Sequence, residues 1–426
     1  MKHLLFSLSV AAAVALISFA PPWANSQQSL TWDQVKAKFE AANPTLKADA
    51  LGVDEMKAAE TTAFLRPNPQ FAFATDGTQI APHNGVWKPF AGTDFVPTLS
   101  YLHEREHKRD LRLQSAKEGT KIASSEHEDL QRNLEFSLRS AFVQTLQAKA
   151  VLELAKADLD YYDKIIEISR SRYKAGDIAQ IDLDRIELLR VQYEAEIQTA
   201  LVDLRTAKIQ LMQLLNDRVP VEQFDVTGAF DFDEVLRPLD DFHKIALSDR
   251  PDLQAALQTI QQSETNHKLA VANGSADPTF SGWYTYNSSN NNPAATQTLG
   301  ASVSIPLRIF DKNQGEKQRT RIDIDKSQQT SEATRAQVFA DVDSAYAQVE
   351  SNITLLKPFK AQYKQQATRV RDTVTYSYQH GGASLLDFLN AQSDYRAVQL
   401  AYLQLIGSYL TAAGQLNLAV GREVIP

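Results

Sequence analysis

Between Thr98 and Val219 the chain contains no proline, and Gly119 and Gly176 are its only glycines there. Within that stretch Leu130, Leu134, Leu138, Ala141, Phe142, Leu146 and Leu152 recur at steps dominated by three and four. That is the period of a helix with one apolar stripe. The pattern predicts a helix over 110–173, a tip at 174–180 and a second helix over 181–216. At 1.5 Å per residue the first would run roughly 90–100 Å, against a usual helix of about 11–12 residues. So long an arm needs partners along its whole length, in the manner of a coiled coil.

The second half repeats the design. Ser140-Ala141-Phe142-Val143-Gln144 returns as Ser344-Ala345-Tyr346-Ala347-Gln348, and Tyr173, Gly176 and Asp182 return as Tyr378, Gly381 and Asp387. Asn43-Pro44-Thr45-Leu46 returns as Arg250-Pro251-Asp252-Leu253. Such matches in one order point to an internal duplication: a first repeat over 27–216, an equatorial segment over 217–248 and a second repeat over 249–421. The second repeat carries helices over 314–378 and 384–420 around a tip at 379–383, with Gly381 and Gly382 turning it as Gly176 turns the first. Pro358 is expected to kink its helix near Lys357.

Before each long helix lie two segments that alternate with period two, over 70–77 and 94–102, then 279–287 and 297–305. Phe71 and Phe73 alternate with Ala72 and Ala74; Leu299, Ala301, Val303 and Ile305 alternate with Gly300, Ser302 and Ser304. These read as strands with one apolar face and one small, polar face. Trp87, Tyr101, Trp283, Tyr284 and Tyr286 suit an interfacial aromatic girdle.

Composition narrows the choices. The formal net charge is −8 with no long basic run, which argues against nucleic acid. With no cysteine, thiol catalysis, disulfides and Cys-ligated metals are excluded. Met1-Lys2-His3 followed by the apolar run Leu4–Ala20 and small residues at Ala24 and Ser26 reads as a secretory signal, 1–26, with a membrane anchor as the alternative. If the apolar strand faces meet lipid, the sheet must close, because unpaired edges are not tolerated there. Four strands are too few, since membrane barrels begin at about eight. Three chains would supply twelve. The alternative is a small soluble sheet packed on the helices.

Tyr173-Lys174-Ala175-Gly176 followed by Asp182, repeated as Tyr378-Gln379-His380-Gly381 followed by Asp387, resembles the paired hairpin tips of the TolC-like outer-membrane efflux proteins. The stretch 172–216, with Ile181-Asp182-Leu183-Asp184-Arg185, is similar to the heavy-metal cation branch. The resemblance covers about 30–421. It implies an α+β fold with internal duplication: long antiparallel helices forming an α-barrel, and two β-hairpins per chain contributing to a trimeric twelve-stranded membrane β-barrel. It also implies an outer-membrane location with the helices in the periplasm, and contact with outer-membrane lipid. The implied partners are two further copies in a homotrimer, a periplasmic adaptor and an inner-membrane pump of the resistance-nodulation-division type. Neither a cofactor nor catalysis is implied. By position, Tyr378 matches a gate tyrosine, Asp182 the aspartate it bonds, and Asp387 a carboxylate ringing the narrowest point. Ala383 stands where the family has a gate arginine, and Asn390 where it has a second acidic ring. Helix capping is the plainer role for both aspartates. Heavy-metal cations are the implied cargo, with organic compounds as the alternative, and a soluble periplasmic scaffold as the competing function.

One motif points elsewhere. His103-Glu104-Arg105-Glu106-His107 satisfies H-E-x-x-H, the zinc-protease pattern. It sits where a strand hands over to a helix, and copy two has Leu307-Arg308-Ile309-Phe310-Asp311 there. A polar belt below the membrane fits it better than a metal site at His103 and His107. His380 in the second tip reads as a solvated loop residue.

Overall fold

The structure is a computed structural model describing residues 29–287 and 296–425. The expected signal segment lies outside the described residues. The elements are α1 (Trp32–Ala42), α2 (Pro44–Phe64), β1 (Gln70–Asp76), β2 (Asp94–Leu102), α3 (Lys108–Ala175) and α4 (Gln180–Leu214). After the equatorial segment come α5 (Leu239–Asp249), α6 (Pro251–Asn273), β3 (Thr279–Asn287), β4 (Gln297–Ser304), α7 (Gln314–Pro358), α8 (Lys364–Gln379) and α9 (Leu385–Val420). α3 has 68 residues, about 100 Å of continuous helix.

Pro358 does not stop its helix. The backbone stays right-handed helical through Phe359 and Lys364, and a five-residue π turn, Phe359–Tyr363, links α7 to α8. A proline brings no N–H and crowds the carbonyl four residues back, and a wider turn accommodates both defects.

The four strands form one antiparallel sheet in the order β1-β2-β3-β4. Its register puts Phe71 opposite Leu99, Leu99 opposite Gly282 and Gly282 opposite Ala301. One face therefore carries Phe71, Phe73, Phe95, Leu99, Tyr101, Phe280, Tyr284, Tyr286, Leu299 and Val303. Many of these are exposed in the single chain. The β2–β3 ladder skips Val96 and Pro97, where proline has no donor to offer. Trp283 departs from the expected girdle: strand alternation places it on the opposite face from Tyr284 and Tyr286. Its ring lies over Gly300, where any Cβ would run into the indole. Trp87 lies in the loop between β1 and β2, beyond the strands.

Towards the sheet, α2 packs on α3, α3 on α6 and α6 on α7; towards the tips, α4 packs on α3, α3 on α9 and α9 on α8. Between these levels the equatorial segment wraps one side. Phe224 and Val226 join Phe142, Leu146 and Leu211 in one core, while Phe232 and Phe242 join Val342, Val349 and Leu416 in another. Asp225 receives Lys149 (2.7 Å), Lys208 (3.2 Å) and the Ser29 hydroxyl (3.0 Å), tying the start of the described chain to both arms of the first hairpin. No helix among the described residues is long and apolar enough to cross a membrane.

Arg250 is the corresponding anchor of the second half. Its buried guanidinium reaches Asp252 (2.5 Å), Asp341 of α7 (2.9 Å) and the Ala419 carbonyl of α9 (3.2 Å). Removing one partner of such a pair strands the others. Arg250→Met is expected to lower the free energy of unfolding by about 2–4 kcal/mol, read from denaturant midpoints of the detergent-solubilised protein.

Candidate functional site at the paired helix tips

Both tips close with the same hydrogen-bonded turn. At the first, Gly176 (φ +84°) donates to the Tyr173 carbonyl and Asp177 donates to Arg172, each at 2.9 Å. At the second, Gly381 (φ +79°) donates to Tyr378 at 3.1 Å and Gly382 to Ser377 at 2.7 Å. This is a Schellman closure, and its left-handed residue is the place for glycine. The two turns lie 205 positions apart and differ in how the next helix begins. Ser384 caps α9: its hydroxyl accepts from the Asp387 amide (3.1 Å), while the Asp387 carboxylate takes the Ser384 N–H (3.2 Å) and O–H (2.7 Å). The first tip has Ala179 at that position, so Asp182 has no reciprocal partner.

The hydrogen bonds from Ser384 hold the Asp387 carboxyl below the usual carboxylate range, so it is charged at neutral pH. Asp387 and Asn390 are exposed, and Ala383 packs against the core between the tips. That core joins Tyr162, Ile165, Ile186 and Tyr193 of the first hairpin to Tyr378, Leu385 and Phe388 of the second.

Tyr378 is buried in this core, stacked on Phe388 with ring centroids 5.1 Å apart. Its hydroxyl faces Ser169 of α3 at 3.4 Å. The expected Tyr378–Asp182 bond is therefore not made within the chain, because α8 turns Tyr378 toward α3 while Asp182 lies on α4. Arg172 is the residue that sequence reasoning missed. It donates to the Tyr378 carbonyl at 2.6 Å and lies 5.1 Å over the Tyr378 ring, a cation at the second tip, where Ala383 itself is neutral. Its counterpart 205 positions on is Ser377, so a search for repeated residues passes over it.

About one helical turn beyond Tyr162 and Tyr193, away from the tips, the hairpins share a buried polar junction. Arg396 of α9 pairs with Glu196 of α4 and stands 3.9 Å from Asp158 of α3. Burial pushes the Asp158 carboxyl up to about 6, against the pull of Arg396 and Arg371. Asp158 Oδ2 and both amide atoms of Gln392 lack hydrogen-bond partners. Nearby, Tyr161 donates to Thr375 at 2.7 Å, and Arg371 lies between the Tyr161 and Tyr395 rings.

The H-E-x-x-H residues take no part in this. His107 is the left-handed cap that precedes α3 (φ +53°), and His103 lies in the loop, its amide bonded to Pro278 and its ring edge-on to Phe280. The two imidazoles are thus not presented one helical turn apart. Glu104 grips Arg112 through both oxygens, at 2.5 and 2.9 Å. No group of three metal-ligating side chains occurs among the described residues.

The outer membrane efflux protein family model matches residues 37–217 and again 243–422. The chain belongs to the outer membrane efflux protein family. The cobalt-zinc-cadmium resistance protein CzcC of Cupriavidus metallidurans is 22% identical over 92% of this chain and 90% of its own. The outer membrane efflux protein BepC of Brucella suis is 21% identical over 68% of this chain and 64% of its own. Among solved structures, CusC superposes with a TM-score of 0.77 at 17% identity, covering 92% of each chain. The CmeC outer membrane channel of Campylobacter jejuni superposes at 0.74 and 15% identity, over 100% of this chain and 96% of its own. An outer membrane efflux protein is a passive conduit and not an enzyme, which leaves the tips and the lining as the places where function resides.

Substitutions at the tip core separate packing from hydrogen bonding in this efflux protein. Tyr378→Phe keeps the stack on Phe388 and removes one hydrogen bond, with an expected loss of about 1 kcal/mol. Tyr378→Ala empties the inter-hairpin core, with an expected loss of about 3–5 kcal/mol. Asp158 binds its proton more tightly folded than unfolded, so its contribution is full below about pH 4 and lost as pH rises through about 6. Asp158→Asn is expected to flatten the pH dependence of the melting temperature across that window and to raise stability at pH 7.5.

Proposed function

We propose that three copies of this efflux protein close into one passive duct, with the strands as a twelve-stranded barrel in the outer membrane and the helices reaching into the periplasm. An inner-membrane pump of the resistance-nodulation-division type, joined through a periplasmic adaptor, delivers the cargo at the tips. The observation that carries this is the sheet: four strands, two unpaired edges and one exposed apolar face. Such a sheet is stable in lipid only when further copies complete it.

The helices support the same closure. α4 and α8 flank the lower layer, and α4 carries Ile181, Leu188, Val202 and Ile209, exposed and spaced in multiples of seven. α8 and the π turn before it expose Tyr363, Val370 and Tyr376. Two apolar stripes on opposite edges suit head-to-tail contacts that close a ring. The two family matches and the repeated tip turns support the internal duplication, with an equatorial segment at 217–248 between repeats at 27–216 and 249–421.

Heavy-metal cations are the cargo this reading favours, on the kinship with CzcC across nearly the whole chain and on Asp387. Three ionised Asp387 side chains at the mouth form a ring that attracts cations. In the same reading Tyr378, with Ser169 and Arg172, locks the second tip to the first and keeps the mouth narrow, while Asp182 borders it. A wider cargo range is supported by the groove between α3, α7 and α9. Gln144, Gln147, Gln348, Asn352 and Thr411 line it together with one carboxylate, Asp341, whose charge Arg250 offsets, and such a lining discriminates little by charge.

Purified protein is expected to sediment as a trimer and to conduct in planar bilayers. A monomer without conductance overturns the duct. Asp387→Asn is expected to shift the reversal potential in a salt gradient toward zero, and an unchanged potential removes the ring. Leu188→Glu is expected to shift the assembly toward monomers on sizing in detergent.

A further inference from the structure

The two open edges of the chain run from sheet into helix. α2 leads into β1 through residues 65–69, and β4 leads into α7 through residues 305–313. Because α2 and α7 flank the upper helical layer as β1 and β4 flank the sheet, these two junctions lie at one level on opposite edges. Both are apolar and bare. Phe64 and Leu65 are 45% and 60% exposed, and Leu307, Ile309 and Phe310 are 80%, 64% and 90% exposed.

Neither junction hangs free. On the first edge Arg109 lies 4.4 Å over the Phe64 ring, and Arg112 donates to the Ala63 and Leu65 carbonyls at 3.4 Å each. Glu104 holds Arg112 in that position. On the second edge Ile309 donates to the Leu307 carbonyl at 2.9 Å, Gln314 to Phe310 at 3.2 Å, and Asn313 to Ala270 of α6 at 2.8 Å. The backbone is fixed while the large side chains point away from the chain's own core.

We propose that the strap Leu307–Phe310 of one copy seats on the Phe64–Leu65 junction of the next, forming an apolar collar where the strands give way to helices. This rests on the closed-ring reading above. Any rotation that brings the β4 edge of one copy to the β1 edge of the next also brings strap to junction, because each junction is covalently continuous with its edge strand. A head-to-tail ring buries both patches at once and repeats the contact at every boundary. A single chain leaves five large apolar side chains in water. Glu104, the acid of the H-E-x-x-H run, is then a positioning residue: it fixes Arg112, and Arg112 fixes the junction.

The chain has no cysteine, so introduced pairs report without background. The full-length protein carrying Leu65→Cys with Phe310→Cys, or Leu65→Cys with Leu307→Cys, is oxidised in detergent and run on a non-reducing gel. Covalent dimers and trimers are expected, and Leu65→Cys with Val202→Cys is expected to give none. Glu104→Ala is expected to cut the cross-link yield several-fold, with Glu104→Asp restoring part of it and the helical melting curve unmoved. A trimer by sedimentation that cross-links at neither collar pair overturns the collar and spares the ring. Absence of a trimer in the unmodified protein overturns the ring itself. A bimane on Phe310→Cys quenched by brominated lipid as strongly as one on Leu299→Cys assigns the strap to the bilayer and also overturns the collar.

Discussion

Backbone hydrogen bonding at the edges of β1 and β4 governs the design of the whole chain. Four strands with one apolar face cannot leave their outer N–H and C=O groups unpaired in hydrocarbon, where each would cost several kcal/mol. Within the chain the outer edges of β1 and β4 have no partner strand among the described residues. A soluble sheet usually protects such edges with charge, a bulge or a covering helix. The helices follow the same plan: α2 and α7 above, α4 and α8 below, each packed on an inner neighbour and left open on the other side. Sheet and helices alike leave their outer sides open.

Helices this long need internal stiffening, and buried polar anchors supply it at three heights. Asp225 gathers Lys149, Lys208 and Ser29 at the equator, Arg250 joins α6, α7 and α9, and Arg396 bridges Glu196 and Asp158 above the tips. The third is the least satisfied, with unpartnered polar atoms on Asp158 and Gln392.

Much of this was legible in the residues. A proline-free stretch with apolar steps of three and four can only be a long helix. Gly176 and Gly381 lie where the chain needs a left-handed turn, and period-two alternation marked each strand. The H-E-x-x-H run shows where local pattern misleads. Its spacing suits a helix, but Glu106 and His107 both adopt positive φ and the helix begins only at Lys108. Trp283 misleads in the same way, since composition suggests a girdle and alternation sends the ring to the other face.

Periodicity by itself determined the strands and the long helices, and the repeated tip motif carried the resemblance to the family. Those features are local: one residue's preference and its neighbours at fixed steps settle them. Tertiary structure alone decided that Tyr378 turns to Ser169 and not to Asp182, that Arg172 supplies the cation beside it, and that Glu104 grips Arg112. It also decided that Asp158 and Arg396 meet. Each of these joins residues on separate turns or separate helices, and their meeting depends on how the helices rotate about their axes. Close packing of whole side-chain rows sets that rotation, and no short stretch of sequence encodes it.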